Sequence, residues 1–447
     1  MVQAVILAGG KGTRLAARLN GKPKPLVEID GIPLLTRQIA TLAANGVTEA
    51  LLLVNHAADQ IQSFIAQADL PIPVRLIDDG EPRGTAGAVL ACIDALRDVF
   101  VVVYGDTLFD IDLAAMLVAH AHQSAGATLL LHPNDHPFDS DLVDLGEDGL
   151  ITAFHSYPHP QDAWLRNLVN AAFYIVNRSS LAGWAGRINT GDFAKDLFPA
   201  MLAHGERLAG YVSFEYIKDV GTPARLDKAE AQLRAGVVAR MARSAPQKAV
   251  FLDRDGTLNH LKGHLARAED LVLFDGVGEA LRKLNLAEYR LVIVTNQPVI
   301  ARGECSPTEL SRIHARLESE IGKNGAYIDA IYYCPHHPDA GFIGEVASLK
   351  IVCGCRKPGT LMVDQAVEAL NIDLAQSWMV GDSTADVMLA RQTGLKSVLL
   401  ATGEAGADGK WPEKPDFHAA GIRDAVELIL EHDLRSATTD SSLLENL

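Results

Sequence analysis

The sequence lacks any apolar run near the ~18 residues that a membrane-spanning helix requires. The short run at its start is cut off by Gly9 and Gly10, so neither a span nor a signal peptide is expected. It is also short of positive charge: 40 Lys and Arg stand against 56 Asp and Glu, a formal net charge of −16. An acidic chain of this kind is a poor binder of nucleic acid or anionic membranes in general. Cysteine is scarce and odd in number, with five residues, three of them (Cys334, Cys353 and Cys355) close together. That argues against a disulfide framework and for a metal site in a reducing cytosol. Short repeats and long low-complexity tracts are missing. So are the P-loop and the Rossmann fingerprint, because no glycine-rich stretch has the required spacing.

What is present is chain enough for two domains, 447 residues at ~100–200 per domain. Both halves open alike. Ala4–Leu7 is a short apolar run that leads into a glycine-rich turn, and Ala249–Leu252 is another that leads into Asp253-Arg-Asp-Gly-Thr257. Each reads as a buried parallel strand with a functional loop at its carboxyl end. Strand-like runs then alternate with helical patterns. Strands are expected near 50–54, 74–77, 99–104, 127–131 and 171–176, with helices over 34–45, 87–96 and 113–124. In the second half, strands are expected near 291–295, 330–333, 378–380 and 397–400, with helices over 277–284, 307–322, 358–370 and 385–393. This alternation predicts two three-layer α/β domains. Their expected bounds are 1–236 and 248–433, with a linker over 237–247 and a frayed Ser/Thr/Asp-rich tail over 434–447.

In the first half, Leu7-Ala-Gly-Gly-Lys-Gly-Thr-Arg-Leu15 follows a predicted strand. Its glycines let backbone amides approach phosphate oxygens, and Lys11 and Arg14 add charge. Pro23-Lys-Pro-Leu26 holds a lysine on a stiff segment. Gly84-Thr-Ala-Gly-Ala88 starts a helix, and Tyr104-Gly-Asp-Thr107 and Lys218-Asp-Val-Gly-Thr-Pro223 expose carboxylates. Taken together, this series resembles the sugar-1-phosphate nucleotidyltransferase family across roughly residues 1–236. The resemblance implies a Rossmann-like mixed sheet. It also implies a nucleotide site at Leu7, Ala8, Gly9, Gly10, Gly12, Thr13, Gly84, Thr85 and Gly87, catalytic cations at Arg14 and Lys24, and Mg²⁺ on Asp106 and Asp219. The sequence departs from the family at Phe154–Pro158 and at Ala172, where glycine is usual. Sugar-phosphate contacts could then come from Arg166, Arg187 or Lys195, which read equally well as solvated surface charge.

In the second half, Asp253 and Asp255 end an apolar strand two residues apart, and paired carboxylates need a cation or a shared proton. Thr295 ends another strand, Arg356-Lys-Pro358 precedes a helix, and Val380-Gly-Asp-Ser-Thr-Ala-Asp386 forms an acidic turn. This set resembles the haloacid dehalogenase (HAD) phosphatases across residues 248–432. By that resemblance, Asp253 is the nucleophile and Asp255 the acid and base. Thr295 and Lys357 hold the phosphoryl oxygens. Mg²⁺ sits on Asp253, the Asp255 carbonyl and Asp382, and Asp386 supports Lys357 or the metal's surroundings.

Cys334-Pro-His336 and Cys353-Gly-Cys355 form two ligand pairs that match a closed structural zinc site, with His337 as a competing ligand; Cys92 and Cys305 read as bystanders. The clip resembles the zinc-bearing branch of the family, which contains heptose bisphosphate and histidinol-phosphate phosphatases. Thr295–Gln297 with Ala301-Arg-Gly303, and Cys353–Pro358, look heptose-like, although Pro298-Val299 departs from the usual Ser-Gly. Asn296, Gln297, Arg302 and Arg356 become candidates for substrate contacts. The two resemblances imply heptose phosphates and a nucleoside triphosphate, GTP first, as substrates, in the making of a nucleotide-activated heptose. The open alternative is another hexose 1-phosphate, a uridylyl transfer, or a histidinol-phosphate-like phosphatase substrate.

Overall fold

The computed structural model describes residues 2–444 apart from Asn20, Gln161 and Phe342, and it describes no side chains over 436–444. The chain forms two compact units. The first comprises Met1–His132, Ser140–His159 and Leu168–Ala245, and the second Pro133–Asp139, Pro160–Asn167 and Pro246–Leu447.

The first unit is built on a nine-stranded mixed sheet. Its parallel heart runs in the order 99–104, 2–7, 47–54, 74–78. Strand Val169–Asn177 pairs antiparallel with Val99–Tyr104 and carries the remaining strands. Side chains alternate across the sheet, as the pleat requires. Val5, Leu51 and Val102 join one core with Ala86, Val89, Phe198 and Met201. Ala4, Ile6, Leu52 and Val103 join another with Leu35, Ile39, Ile61 and Met116. Helices therefore cover both faces. All the carboxyl ends of the parallel strands open toward one edge, where ligands bind in sheets of this type.

The second unit has a six-stranded, wholly parallel sheet in the order 330–334, 290–296, 249–252, 378–381, 396–400, 417–419. Both faces are buried, so its strands are near-continuous apolar runs. Val250, Leu252, Ile293 and Val380 pack with helices Val277–Leu286 and Pro307–Gly322. Phe251, Val292 and Met379 point the other way and are equally buried.

Several features differ from expectation. The expected linker over 237–247 opens with helix Val237–Arg240, whose Val237 packs in a core of the first unit, and that unit runs to Ala245. Helix Gly84–Ala91 starts three residues before the predicted 87 and ends five before the predicted 96. The last helix runs Ile422–Leu444, so the segment from 434 continues as helix rather than fraying at once; 445–447 lie outside the described residues. Finally, segment 160–167 belongs to the second unit. There Arg166 Nε donates to Glu318 Oε2 at 2.6 Å, Asn167 N donates to the same oxygen at 3.1 Å, and the Arg316 guanidinium lies 4.7 Å from the Trp164 ring centre. Arg166, read as a candidate for the sugar phosphate, is thus committed to a buried carboxylate elsewhere.

Candidate active sites

In the first unit, strand Val2–Leu7 delivers the chain into the loop at Gly9. Gly12 sits at φ +64°, and a Cβ there would lie 3.0 Å from Leu19 and 3.1 Å from Lys24, so only glycine passes without strain. The loop borders a cavity of about 280 Å³ that Leu7, Ala8, Gly9, Gly10, Gly84 and Thr85 line together with Lys24 and Asp106. Gly12, Thr13 and Gly87 are absent from that lining. Thr13 begins a short 3-10 helix, and Gly87 is pressed against the backbone of Asn189.

Strands Thr107–Asp110 and Tyr216–Asp219 pair antiparallel, with Asp219 opposite Thr107 and Val220 N donating 2.9 Å to Asp106 O. This hairpin-like register puts the two acidic turns side by side. Lys24 Nζ is ion-paired with Asp106, and Arg225 with Asp219. A Cβ on Gly221 would stand 2.7 Å from Asp219 Oδ1, 3.3 Å from Lys24 Nζ and 3.4 Å from Arg14 Nη2. Arg14, Lys24 and Asp219 therefore converge on one spot. Arg225 is the member that the sequence reading missed. Its signal was its place in the first turn of the helix that follows Asp219-Val-Gly-Thr-Pro223. Behind the cavity, Thr85 Oγ1 donates 2.7 Å to Asp192 and accepts from the buried Tyr104 hydroxyl at 3.2 Å. Asp106 lines the cavity and Asp219 stands in the neighbouring turn, and two carboxylates so placed suit a divalent cation.

In the second unit, the neighbouring strands 249–252 and 378–381 end in Asp253 and Asp382. Lys357 Nζ lies 2.8 Å from Asp253 Oδ1 and 2.6 Å from Asp386 Oδ1. Oxygens of Asp253, Asp382 and Asp386 lie within 4.8 Å of one another. Two of these buried carboxylates, Asp253 and Asp386, thus share one lysine, with Asp382 beside them. Burial pushes the Asp253 carboxyl up to about 6 against the pull of Lys357. Burial, then the charge of Asp253, pushes Asp382 up to about 8. Burial by itself would lower the Lys357 pKa, but Asp253 and Asp386 raise it overall. The surplus of negative charge matches what a magnesium ion on Asp253 and Asp382 would neutralise. Asp386 does not offer both oxygens: its Oδ2 accepts from Ser383 N and Oγ in a capping box for helix Thr384–Thr393. Asp382 is hemmed in by Gly256 and Gly403, both at positive φ, where any Cβ would collide with its carboxylate.

Asp255 accepts from Arg254, Asn259 and Gln297. Burial tends to raise its pKa, but the Arg254 guanidinium and these donors outweigh that and hold it below the ordinary value. Arg254 is wholly buried and also bonds Gln297 Oε1 at 2.9 Å and His314 Nε2 at 3.2 Å. Burial and that guanidinium keep the His314 imidazole neutral.

The residues read as substrate contacts divide. The Thr295 hydroxyl is buried and accepts from Gln297 Nε2 at 2.9 Å. Both ends of the Gln297 amide are engaged by Arg254, Asp255 and Thr295, so it props Asp255 rather than facing solvent. Asn296 clamps the Lys357 backbone, accepting from its N at 2.9 Å. Arg302 pairs with His264, and Arg356 donates 3.3 Å to His336 O.

The Cys/His pairs also converge. Cys355 Sγ lies 3.2 Å from both Cys334 Sγ and Cys353 Sγ, Cys334 lies 3.6 Å from Cys353, and His336 Nδ1 lies 3.2 Å from Cys355 Sγ. These four donors could hold a metal ion. His337 turns away, its Nδ1 accepting from Asp339 N. Cys92 and Cys305 stand apart, Cys305 in the hydrophobic core.

Comparison with known proteins fits both halves. The nucleotidyl transferase family matches residues 3–236, and the HAD-hydrolase-like family matches residues 354–425. The D-glycero-beta-D-manno-heptose-1,7-bisphosphate 7-phosphatase of Haemophilus ducreyi is 44% identical over 186 residues, which cover 41% of this chain and 98% of that protein. Among solved structures, HddC from Yersinia pseudotuberculosis aligns with 26% identity over 52% of this chain and 100% of its own, at a TM-score of 0.45. The D,D-heptose 1,7-bisphosphate phosphatase from B. bronchiseptica, complexed with magnesium and phosphate, aligns with 30% identity over 42% of this chain and 99% of its own, at a TM-score of 0.37. On the first two of these matches and the first relative, the chain belongs to the nucleotidyl transferase family over its first half and to the HAD-like heptose-bisphosphate 7-phosphatases over its second, and it is an enzyme with both activities.

Proposed function

We propose that this protein removes the 7-phosphate of D-glycero-D-manno-heptose 1,7-bisphosphate and then joins the resulting heptose 1-phosphate to a guanylyl group from GTP. The observation that carries the reading is the buried Asp253, Lys357, Asp386 and Asp382 cluster, in a half that is 44% identical to a 7-phosphatase. The product of that half is a sugar 1-phosphate, the substrate class of the other half.

In the phosphatase, an Asp253 oxygen bonds to phosphorus as the bond to O7 breaks. Asp255 gives O7 its proton. Asp255 then takes a proton from water as that water attacks the aspartyl-phosphate, releasing phosphate and restoring Asp253. The Arg254 contact leaves Asp255 ionised at rest, which suits the second step. A phosphate dianion nearby raises its proton affinity for the first. Lys357, fixed by Asp386 and Asn296, grips the phosphoryl oxygens. Mg²⁺ on Asp253 and Asp382 would offset the repulsion between carboxylate and phosphate.

In the transferase, an oxygen of the sugar 1-phosphate attacks the α-phosphorus in line and pyrophosphate departs. Lys24 and Arg14 neutralise charge around the reacting phosphates, and Asp106 and Asp219 would hold Mg²⁺. Positioning and cations are most of what this reaction asks of a protein. The four-donor clip takes Zn²⁺ as a structural ion. Tetrahedral thiolates at ~2.3 Å from zinc stand roughly 3.8 Å apart, close to the separations seen here. It anchors the loop that runs into Arg356 and Lys357.

The test is incubation of the purified protein with Mg²⁺ and α- or β-heptose 1,7-bisphosphate, with each NTP added separately. Phosphate release followed by GDP-heptose and pyrophosphate is expected. No phosphate release would overturn the first step, and no nucleotide sugar from any NTP would overturn the second.

A further inference from the structure

Sheet order brings one more segment to the phosphatase carboxylates. Strand Lys396–Leu400 lies beside strand Trp378–Gly381, and the two are parallel. The loop that follows the first strand therefore emerges next to Asp382, which follows the second. Glu404 N donates to Asp382 Oδ2 at 2.6 Å, and Gly406 N donates to Asp382 O at 2.8 Å. Thr402 Oγ1 donates to Gly256 O at 2.7 Å, beside the Asp253 turn. Among the described residues, Glu404 N is the one hydrogen-bond donor to the Asp382 carboxylate. The place of the loop thus sets how that carboxylate is turned.

Little within the loop fixes it. None of residues 401–416 is buried, so no apolar side chain anchors the segment in a core. Gly403, Ala405, Gly406 and Gly409 all take positive φ, and glycine backbone loses the most freedom on being ordered. The anchor stands at the far end. Asp408 Oδ1 accepts from Thr384 N at 2.8 Å, and Asp408 Oδ2 accepts from Thr384 Oγ1 at 2.6 Å. Hydrogen bonds to a carboxylate are the stronger kind. The acid also meets a free N–H at the start of helix Thr384–Thr393, where negative charge is favoured. Thr384 lies two residues past Asp382, so Asp408 ties the loop back to the turn that carries the metal-site carboxylate.

We infer that Asp408 is a positioning residue for the phosphatase metal. It acts at one remove, holding the loop whose Glu404 amide orients the Asp382 carboxylate. This rests on the reading of Asp253 and Asp382 as Mg²⁺ ligands and deepens it.

The experiment is a calorimetric Mg²⁺ titration without substrate, in the full chain carrying Asp106→Asn so that the first unit's site does not contribute. Asp408→Ala should raise the dissociation constant by roughly 10- to 100-fold, the usual cost of losing a partner of a metal's ligand. Asp408→Asn keeps an acceptor for Thr384 N but loses the charge, so its rise should be smaller. In phosphatase assays the Mg²⁺ concentration for half-maximal rate should rise in parallel. The kcat at saturating Mg²⁺ and the KM for the sugar bisphosphate should stay within about threefold. A lower melting temperature with native Mg²⁺ affinity would reduce Asp408 to a helix cap and overturn the inference. A fall in kcat at saturating Mg²⁺, with the half-maximal concentration unchanged, would overturn it too. Should Asp408→Ala fail to fold, Asp408→Asn decides by the same two criteria. Asp382→Asn is the control: if it binds Mg²⁺ as tightly as the unaltered site, the metal reading itself falls, and this inference with it.

Discussion

The two catalytic regions handle negative charge in opposite ways. In the first unit, each carboxylate has its own cation, Asp106 with Lys24 and Asp219 with Arg225, and all four side chains keep some exposure. In the second, Asp253 and Asp386 share Lys357 almost wholly out of solvent, with Asp382 beside them. A balanced, open site can wait for a ligand that brings its own charge. A buried site with excess anion is incomplete without an added cation or proton. The first arrangement suits transfer between two bound phosphates. The second suits a site where the protein's own carboxylate must attack.

The sharpest way to break this comparison is to disable each nucleophilic or metal-holding acid in turn. Asp253→Asn should reduce phosphate release from heptose 1,7-bisphosphate by at least about 1000-fold, while nucleotidyl transfer to supplied heptose 1-phosphate stays within about twofold. Asp106→Asn should do the reverse. Parallel phosphate and pyrophosphate assays decide it; loss of both activities in either variant would show that the sites are not separable.

A smaller but still large effect is expected at the clip. Elemental analysis should find zinc in the native protein and lose it on Cys355→Ser or treatment with a strong chelator. Either change should also lower the unfolding temperature and phosphatase activity together, because the loop to Lys357 loses its anchor.

The charge surplus itself predicts a pH signature. The Asp382 carboxyl is raised to about 8 in the folded protein, so between pH 6 and pH 8 the folded state binds protons that the unfolded chain does not. Stability of the metal-free protein therefore falls as pH rises through that window. Mg²⁺ should flatten the trend. Thermal melts with EDTA and with Mg²⁺ across pH 6–8 provide the check, and a metal-free protein that grows more stable toward pH 8 would contradict it.

The smallest effect concerns Ala172. It holds φ +56° at the irregularity in strand Val169–Asn177, where Asn170 Oδ1 accepts from its N at 3.2 Å. The chain keeps a left-handed turn there despite the Cβ. Ala172→Gly should stabilise the protein by up to about 1 kcal/mol, measurable by denaturant titration.

Much of this was legible in advance because the parallel strands are buried on both faces. Val99–Tyr104 and Arg290–Asn296 leave little room for another reading, and a carboxylate, hydroxyl or glycine turn at such a strand's end marks a site. The peripheral strands Leu142–Leu145 and Ile151–His155, which pair antiparallel, and Leu208–Val212, which pairs parallel with Ala127–His132, were missed because they are short; the first two also mix polar with apolar residues. Side-chain direction was the other blind spot. Gln297 looked like a sugar contact until the buried Arg254 turned out to need its oxygen. Arg166 looked available until Glu318 claimed it, and nothing local in 160–167 signals that these residues belong with the second unit.

The capping box at Ser383 has a consequence for heat and for engineering. One oxygen of Asp386 starts a helix while the other steadies Lys357, so the phosphate grip proposed for Lys357 would inherit the firmness of a single helical turn. Fraying there would slacken catalysis while the surrounding sheet stayed intact.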